Sequence, residues 1–137
     1  TNWMKYAGAD YITPNLKEIN AVLPDPIRNE DAPVELAARD VMKRFHLGSL
    51  IVTRSEAGLS LICEGEIKHI PTKAQEVFDV SGAGDTVIAV FAMGIAGGIA
   101  PADSCCLANL AAGVVVAKLG TYAVSREELL KALEKEK

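Results

Sequence analysis

The stretch Asp79–Thr86, DVSGAGDT, joins a run of small residues to the apolar segment that follows. Small side chains at 81–84 let backbone N–H groups approach a ligand closely, and a helix start adds partial positive charge. The pattern therefore favours phosphate or a developing anion. Asp85 falls at the helix start, where a carboxylate is stabilised and can accept a proton from a hydroxyl. The alternative is a tight glycine-rich turn in which Asp85 only caps the helix.

A second polar cluster opens a helix directly after a short apolar strand, predicted at 9–13 (ADYIT). Asn15 and Glu18 lie three residues apart and therefore share one face of the helix. Ligands collect at strand-to-helix junctions of α/β sheets, and an amide with a carboxylate can hold a phosphate and, through water, Mg²⁺. The alternative is a variant of the capping box, with Asn15 as N-cap and Glu18 at N3.

A third polar cluster, residues 53–58 (TRSEAG), follows the apolar strand predicted at 50–53. Its hydroxyls and the Arg54 guanidinium can reach phosphates, and the alternative is a plain polar turn between strands. The two histidines, His46 and His69, have no ligand-like partners nearby in sequence. We expect both of them to be structural or exposed.

Hydrophobic spacing along the rest of the chain predicts an α/β layer protein. The predicted order is a strand, two helices, a strand, a hairpin and three helices. Hairpin strands are predicted at 59–63 and 67–70, and helices at 31–45, 85–96, 101–118 and from Ser125 onward. Asp31 is expected to cap the helix at 31–45, with Gly48 just past its end, and Ser125 with Glu128 forms a capping box.

The overall composition is that of an ordinary globular domain, and it limits the partners. The 137 residues include 14 basic and 18 acidic side chains, a net charge of −4, with 50% hydrophobic and 23% charged residues. Mild acidity without a basic run argues against nucleic acid and anionic membrane as partners. Three cysteines without a C-x-x-C pair favour a reducing compartment, and hence a cytoplasmic location.

Taken together, the three clusters resemble the motifs of the ribokinase-like (PfkB-type) carbohydrate kinases. The family's D-x-x-G-A-G-D motif stands at 79–85, and its N-x-x-E motif stands at 15–18. The resemblance implies the C-terminal half of a three-layer α/β/α fold with a mostly parallel sheet. It also implies a carbohydrate kinase with ATP and Mg²⁺ as cofactors and a sugar phosphate as the other partner.

Two departures from the family pattern point to one subfamily. Val90 stands where a small residue is usual, and Ser55 stands where many members have glycine. The segments ADYITPNLKE, VTRSEAGLSL, DVSGAGDTVIAV and LANLAAGVVVAKLGTYAVS are similar to the heptose kinases, from about residue 3 to 133. Those kinases phosphorylate D-glycero-D-manno-heptose 7-phosphate at O1, on the route to ADP-heptose and the lipopolysaccharide core.

The resemblance implies a role for each matching residue. Asp85 would be the base that deprotonates the sugar hydroxyl, and Glu18 would orient Mg²⁺ through water. The backbone of three small residues would stabilise charge on the transferring γ-phosphoryl: Gly82, Ala83 and Gly84. The remaining nucleotide contacts would come from Asn15, Leu16, Lys17, Thr53, Asn109 and Ala112. Phosphoryl transfer depends mainly on positioning and electrostatics, which such groups supply.

A kinase of this type is about twice as long, so the resemblance implies that residues 1–137 are one nucleotide-binding and catalytic half. Two alternatives stay open: another ribokinase-like sugar or nucleoside kinase, and a nucleotide-binding fragment without catalysis. We expect the isolated chain to be a weak or inactive kinase. We also expect homo-oligomers, because strand 50–53 would be left short of neighbours at an exposed sheet edge.

Overall fold

The computed structural model describes residues 3–72, 83–116 and 124–135, which contain four strands and five α-helices. The strands are β1 (Tyr11–Ile12), β2 (Ser49–Thr53), β3 (Leu59–Cys63) and β4 (Glu66–Ile70). The helices are α1 (Leu16–Asn20), α2 (Asp31–Arg44), α3 (Ala83–Ala96), α4 (Pro101–Val116) and α5 (Arg126–Lys135). The chain divides into two units, Thr1–His69 and Ile70–Lys137.

The four strands form one sheet in the order β1-β2-β3-β4. β1 runs parallel to β2, with Ile12 opposite Leu50, whereas β2 and β3 are antiparallel. The α/β class is confirmed, but the described sheet is mixed rather than mostly parallel. The reason is the short links at 54–58 and 64–65, because strands joined so closely can pair only in opposite directions. The prediction that strand 50–53 lacks neighbours is wrong, since β2 lies between β1 and β3.

The core of the first unit lies between α2 and one face of the sheet. Leu50 and Val52 alternate on that face and pack, together with Ile62 of β3, in one cluster with apolar side chains of α2. The cluster members from α2 are Val34, Ala37, Ala38 and Val41. The intervening residue Ile51 is also fully buried, on the opposite face. The continuous apolar run of β2 therefore belongs to a strand covered on both faces, as predicted.

Both ends of α2 differ from the sequence prediction. The N-cap is Glu30, without a side-chain capping bond, and Asp31 is the first helical residue. The Asp31 carboxylate is engaged instead with Arg54, at 2.7 Å. At the other end the left-handed residue is His46, with φ of 55°. Gly48 lets its backbone lie close to the backbone just before β1, because a Cβ at this position would lie 2.7 Å from the carbonyl oxygen of Asp10.

The second unit is helical in its described part, and α3 packs along α4. Gly94 permits this approach, because a side chain there would overlap Ser104 of α4. The α5 capping box is confirmed: Ser125 Oγ accepts from the Glu128 N–H at 3.1 Å, and Glu128 Oε1 accepts from the Ser125 N–H at 3.2 Å. The predicted end of the α4 helix at Lys118 lies outside the described residues. No helix in the described ranges is long and apolar enough to cross a membrane.

Candidate functional site

Asn15 lies beside Thr53 where the two parallel strands end. An isolated parallel bridge pairs these residues, and the Thr53 N–H donates to the Pro14 carbonyl at 3.0 Å. Asn15 is exposed and Thr53 is half-buried. Ligands of open α/β sheets bind outside the carboxyl ends of the strands. Two segments predicted separately as phosphate contacts therefore meet at the edge of the sheet where such a ligand is expected.

The side chains of Asn15 and Glu18 form the capping box that was the alternative interpretation of this pair. Asn15 Oδ1 accepts from the Glu18 N–H, and Glu18 Oε2 accepts from the Asn15 N–H, both at 2.8 Å. The box uses one atom of each side chain and leaves the Asn15 Nδ2 amide and Glu18 Oε1 outside it. Between them in sequence, Leu16 is half-buried and Lys17 is exposed. Capping and ligand binding are therefore compatible in the same two residues.

Arg54 follows Thr53 but its side chain is only 3% exposed. Its Nε donates to Asn29 Oδ1 at 2.8 Å, and its Nη1 donates to Asp31 Oδ1 at 2.7 Å and to Ser60 Oγ at 3.0 Å. The prediction that this guanidinium reaches phosphates is wrong in this structure. The sequence did contain a signal for this burial. Side chains alternate between the two faces of a strand, so position 54 falls on the same face as Leu50 and Val52, which pack on α2.

His69 of β4 completes this polar network. Its Nδ1 lies 2.7 Å from Ser60 Oγ, and its Nε2 lies 2.5 Å from Glu35 Oε1 of α2. Since a carboxylate only accepts, we infer that Nε2 carries hydrogen, which leaves Nδ1 able to accept from the Ser60 hydroxyl. The hydrogen bond from Arg54 lowers the pKa of Asp31 below its usual value. His69 is thus structural, as expected, through contacts distant in sequence.

The turn at 54–58 has a constrained backbone. Ser55 adopts φ of 52°, a left-handed conformation that is unfavourable for residues with a side chain. The N–H of Arg54 donates to the Gly58 carbonyl at 2.8 Å, and Asn29 Nδ2 donates to the Arg54 carbonyl at 3.0 Å. The left-handed φ gives a physical reason for the glycine that many ribokinase-like kinases have where this chain has Ser55.

The first turn of α3 carries the catalytic prediction. Ala83 is the first described residue of α3, Asp85 lies in the first turn, and Gly82 lies outside the described residues. The first N–H groups of a helix have no partner within the helix and are available to an anion. Gly84 is exposed, and a Cβ added there meets no atom within 4 Å. Asp85 is also exposed, and the described residues include no hydrogen-bond or ion-pair partner for it.

Helix α4 carries the two residues predicted to border the adenine. Asn109 is buried, and its Nδ2 donates to the Pro71 carbonyl at 2.7 Å, which ties the segment after β4 to this helix. Ala112, three residues later and half-buried, shares the same helix face. A contact of either residue with adenine stays a prediction. Across the described ranges, no group of three or more His, Cys, Asp or Glu residues is placed to hold a metal ion.

The fold of the described elements is ribokinase-like. Over 91% of this chain and 42% of the other, it matches ribokinase from Thermotoga maritima with a TM-score of 0.81 and 29% sequence identity. Phosphofructokinase-2 from Escherichia coli gives a TM-score of 0.85 over 96% of this chain and 42% of the other, at 15% identity. At that identity the likeness shows the fold alone.

The chain belongs to the pfkB family of carbohydrate kinases, because the family model matches residues 4–128. Among curated relatives, the bifunctional protein HldE of Trichlorobacter lovleyi is 50% identical over 137 residues, which is 99% of this chain and 28% of the relative. The bifunctional protein HldE of Aeromonas hydrophila is 48% identical over 97% of this chain and 28% of its own length. The chain thus spans little more than a quarter of these relatives.

Proposed function

We propose that the chain is the nucleotide-binding and catalytic half of an ATP-dependent kinase that phosphorylates a sugar hydroxyl. The observation that carries the proposal is the bridge between Asn15 and Thr53, at the carboxyl ends of β1 and β2, in a member of the pfkB family. The proposed acceptor is O1 of D-glycero-D-manno-heptose 7-phosphate. Four segments that resemble heptose kinases support this acceptor, as does the identity of about one half to HldE proteins.

In the proposed reaction Asp85 accepts the proton of the sugar hydroxyl while that oxygen bonds to the γ-phosphorus of ATP. The bond between the γ-phosphorus and the bridging oxygen breaks, and ADP leaves with the electron pair. The backbone N–H groups of Gly82, Ala83 and Gly84 stabilise the negative charge on the transferring group. The exposed position of Asp85 supports this role, because a base must be accessible to its substrate.

The junction of β1 and β2 supplies the proposed contacts to the phosphate chain. The Asn15 Nδ2 amide and the Thr53 hydroxyl donate to phosphate oxygens, and Glu18 Oε1 accepts from water. Mg²⁺, when bound, neutralises phosphate charge and keeps several of its waters, so one carboxylate acting through water suits it. Asn109 and Ala112 are proposed to border the adenine.

Residues outside this chain are proposed to supply most of the sugar contacts, since the chain spans 28% of its curated relatives. We call the longer polypeptide that contains the chain the parent kinase. The isolated chain is expected to be weak or inactive, because remote binding energy positions the reacting hydroxyl. The cytoplasmic location and the homo-oligomer stay predictions.

The experiment is a kinase assay of the parent with ATP and the heptose 7-phosphate, beside ribose, fructose 6-phosphate and adenosine. Phosphorus NMR of the product locates the new phosphate. We expect the highest kcat/KM with the heptose and a new signal from a phosphate at O1. A preference for another acceptor would support the alternative of a different sugar or nucleoside kinase. ATP binding without transfer to any acceptor would support a non-catalytic nucleotide-binding protein.

A further inference from the structure

We propose that Arg54 is a positioning residue for the nucleotide, which it does not touch. This inference rests on the proposed function, in which Thr53 contacts the phosphates of ATP. The guanidinium fixes the turn 54–58 from inside the protein, and the fixed turn sets the orientation of the Thr53 hydroxyl. Asn29 helps to hold the same turn, because it hydrogen-bonds both the side chain and the backbone carbonyl of Arg54.

Residue 54 is held from three directions. Its N–H, in the peptide plane that joins it to Thr53, donates to the Gly58 carbonyl. Its carbonyl, in the next peptide plane, accepts from Asn29 Nδ2. Its side chain is held by Asn29 and by Asp31 and Ser60. Both peptide planes and the side-chain direction are therefore specified, which leaves the backbone next to Thr53 little freedom.

The turn needs such an anchor because it contains an unfavourable conformation. Ser55 is held at φ of 52°, where a residue with a side chain is strained. Without the bonds to Arg54, the backbone can relax by moving Ser55 to negative φ. That movement rotates the peptide plane shared with Arg54 and, through it, shifts Thr53 relative to Asn15. The bridge between Thr53 and Asn15 is the geometry on which the proposed phosphate contacts depend.

The anchor itself is well secured. Asp31 begins α2, Ser60 lies in β3, and His69 of β4 bonds Ser60 while its other nitrogen bonds Glu35. The guanidinium fork is thereby joined to one helix and two strands of the first unit. A lysine at position 54 would keep the charge but lose the planar fork that reaches Asn29 and Asp31 in fixed directions.

The test compares variants of the parent kinase by the Kd for ATP, measured by titration calorimetry, and by KM and kcat. Arg54→Lys is expected to raise the Kd and the KM for ATP about tenfold, the effect of losing one or two well-placed polar contacts. The kcat at saturating ATP and the KM for the sugar are expected to stay within about twofold, as for an interaction made equally in ground and transition states. Asn29→Ala, which loosens the same turn from its surface side, is expected to act in the same direction.

Val41→Ala is the matched control. Val41 is fully buried in α2 and is not among the residues that hydrogen-bond the Arg54 side chain. It is expected to lower the Tm without changing the Kd for ATP. An Arg54→Lys or Asn29→Ala protein with a lower Tm and an unchanged Kd would overturn the inference. A Val41→Ala protein whose Kd rises equally would also overturn it, because affinity would then follow stability alone.

The outcome for the proposed function can be read separately. If the parent binds ATP but phosphorylates no sugar, the proposed function fails while the comparison of Kd values still decides the role of Arg54. If the parent binds no ATP, both proposals are refuted. If Arg54→Lys does not fold, the Kd of Asn29→Ala decides, since Asn29 is only half-buried and its loss leaves the bonds of Arg54 to Asp31 and Ser60 in place.

Discussion

The junction after β2 and the first turn of α3 are built in opposite ways, although residues of both are proposed to act in phosphoryl transfer. At the junction, Asn15 and Glu18 are joined in a capping box, and Thr53 is followed by a buried arginine whose side chain bonds three residues. At the start of α3, Asp85 is exposed and a methyl group on Gly84 would meet open space. A substitution at the junction therefore acts on protein contacts first, whereas a substitution in α3 acts on the ligand directly.

The contrast fits the two tasks. Groups that bind phosphates gain from being ordered before the ligand arrives, because the entropy of ordering is then not lost on binding. A general base has the opposite requirement, since hydrogen bonds that satisfy a carboxylate stabilise its ionised form and weaken its basicity. The following changes test whether the two regions differ in this way.

The largest effect is expected for Asp85→Asn in the parent kinase. Loss of the base should lower kcat by about 10²–10⁴-fold, while Tm and the Kd for ATP change little because the side chain is exposed. Steady-state kinetics and thermal unfolding check this. Asp103→Asn, an exposed acid in the first turn of α4, is the control and should leave kcat unchanged. A near-normal kcat for Asp85→Asn would leave Asp85 with the role of a helix-terminal charge only.

A somewhat smaller effect is expected for Gly84→Ala. The added methyl group has space in the protein but would intrude on a phosphoryl group at the helix start, so turnover should fall about 10²-fold. The Tm should hold or rise, because alanine favours a helix over glycine by about 1 kcal/mol.

Gly94→Ala in the same helix should behave in the reverse manner. Its methyl group would overlap Ser104, so the free energy of unfolding should fall by about 1–3 kcal/mol. Its folded molecules should keep their kcat. If Gly84→Ala, by contrast, kept full activity, the transferring phosphoryl group would have to bind away from the start of α3.

Glu18→Gln separates capping from metal binding at the junction. Glutamine can take the N3 position of a capping box, so the Tm should be retained. The Mg²⁺ concentration for half-maximal turnover should rise about tenfold. Losing a residue that contacts a metal only through the metal's ligands typically costs at least this much in metal affinity. Glu128→Gln makes the same change in the α5 capping box and should not alter the Mg²⁺ requirement. An unaltered requirement in Glu18→Gln would reduce Glu18 to a capping residue.

The smallest effect concerns the pH dependence of the ion pair between Asp31 and Arg54. Arg54 lowers the pKa of Asp31, so the pair stabilises the protein above about pH 4, the unfolded value, and this stability is lost as pH falls through the folded pKa. Asp31 is 62% exposed, so Asp31→Asn should cost less than about 1 kcal/mol at pH 7. Urea unfolding should show the difference from the unaltered protein closing below about pH 4. A difference that persists at acid pH would mean that the charge is not its source.

Sequence reasoning found those features whose cause is local. The hairpin strands and the α5 capping box each depend on neighbours within a few positions. The resemblance implied a mostly parallel sheet, whereas the described sheet is mixed because the short links around β3 make its pairing with β2 antiparallel. The burial of Arg54 was missed because Asn29 and Asp31 become its neighbours only when α2 packs on the sheet, and the alternation along β2 was not extended to position 54. For the same reason, the meeting of Asn15 and Thr53 needed the register of β1 against β2.

The mixed sheet also sets an order of assembly. Strands β2, β3 and β4 are linked by residues 54–58 and 64–65, and hairpins with such links form in about 1–10 μs. β1 reaches β2 only after residues 13–48 have been enclosed, which costs more loop entropy and requires α2 to be in place. We therefore expect Thr53 to be in position on the hairpin before Asn15 arrives beside it. In a newly made chain, the bridge between Asn15 and Thr53 would then form in the last step of sheet assembly in the first unit.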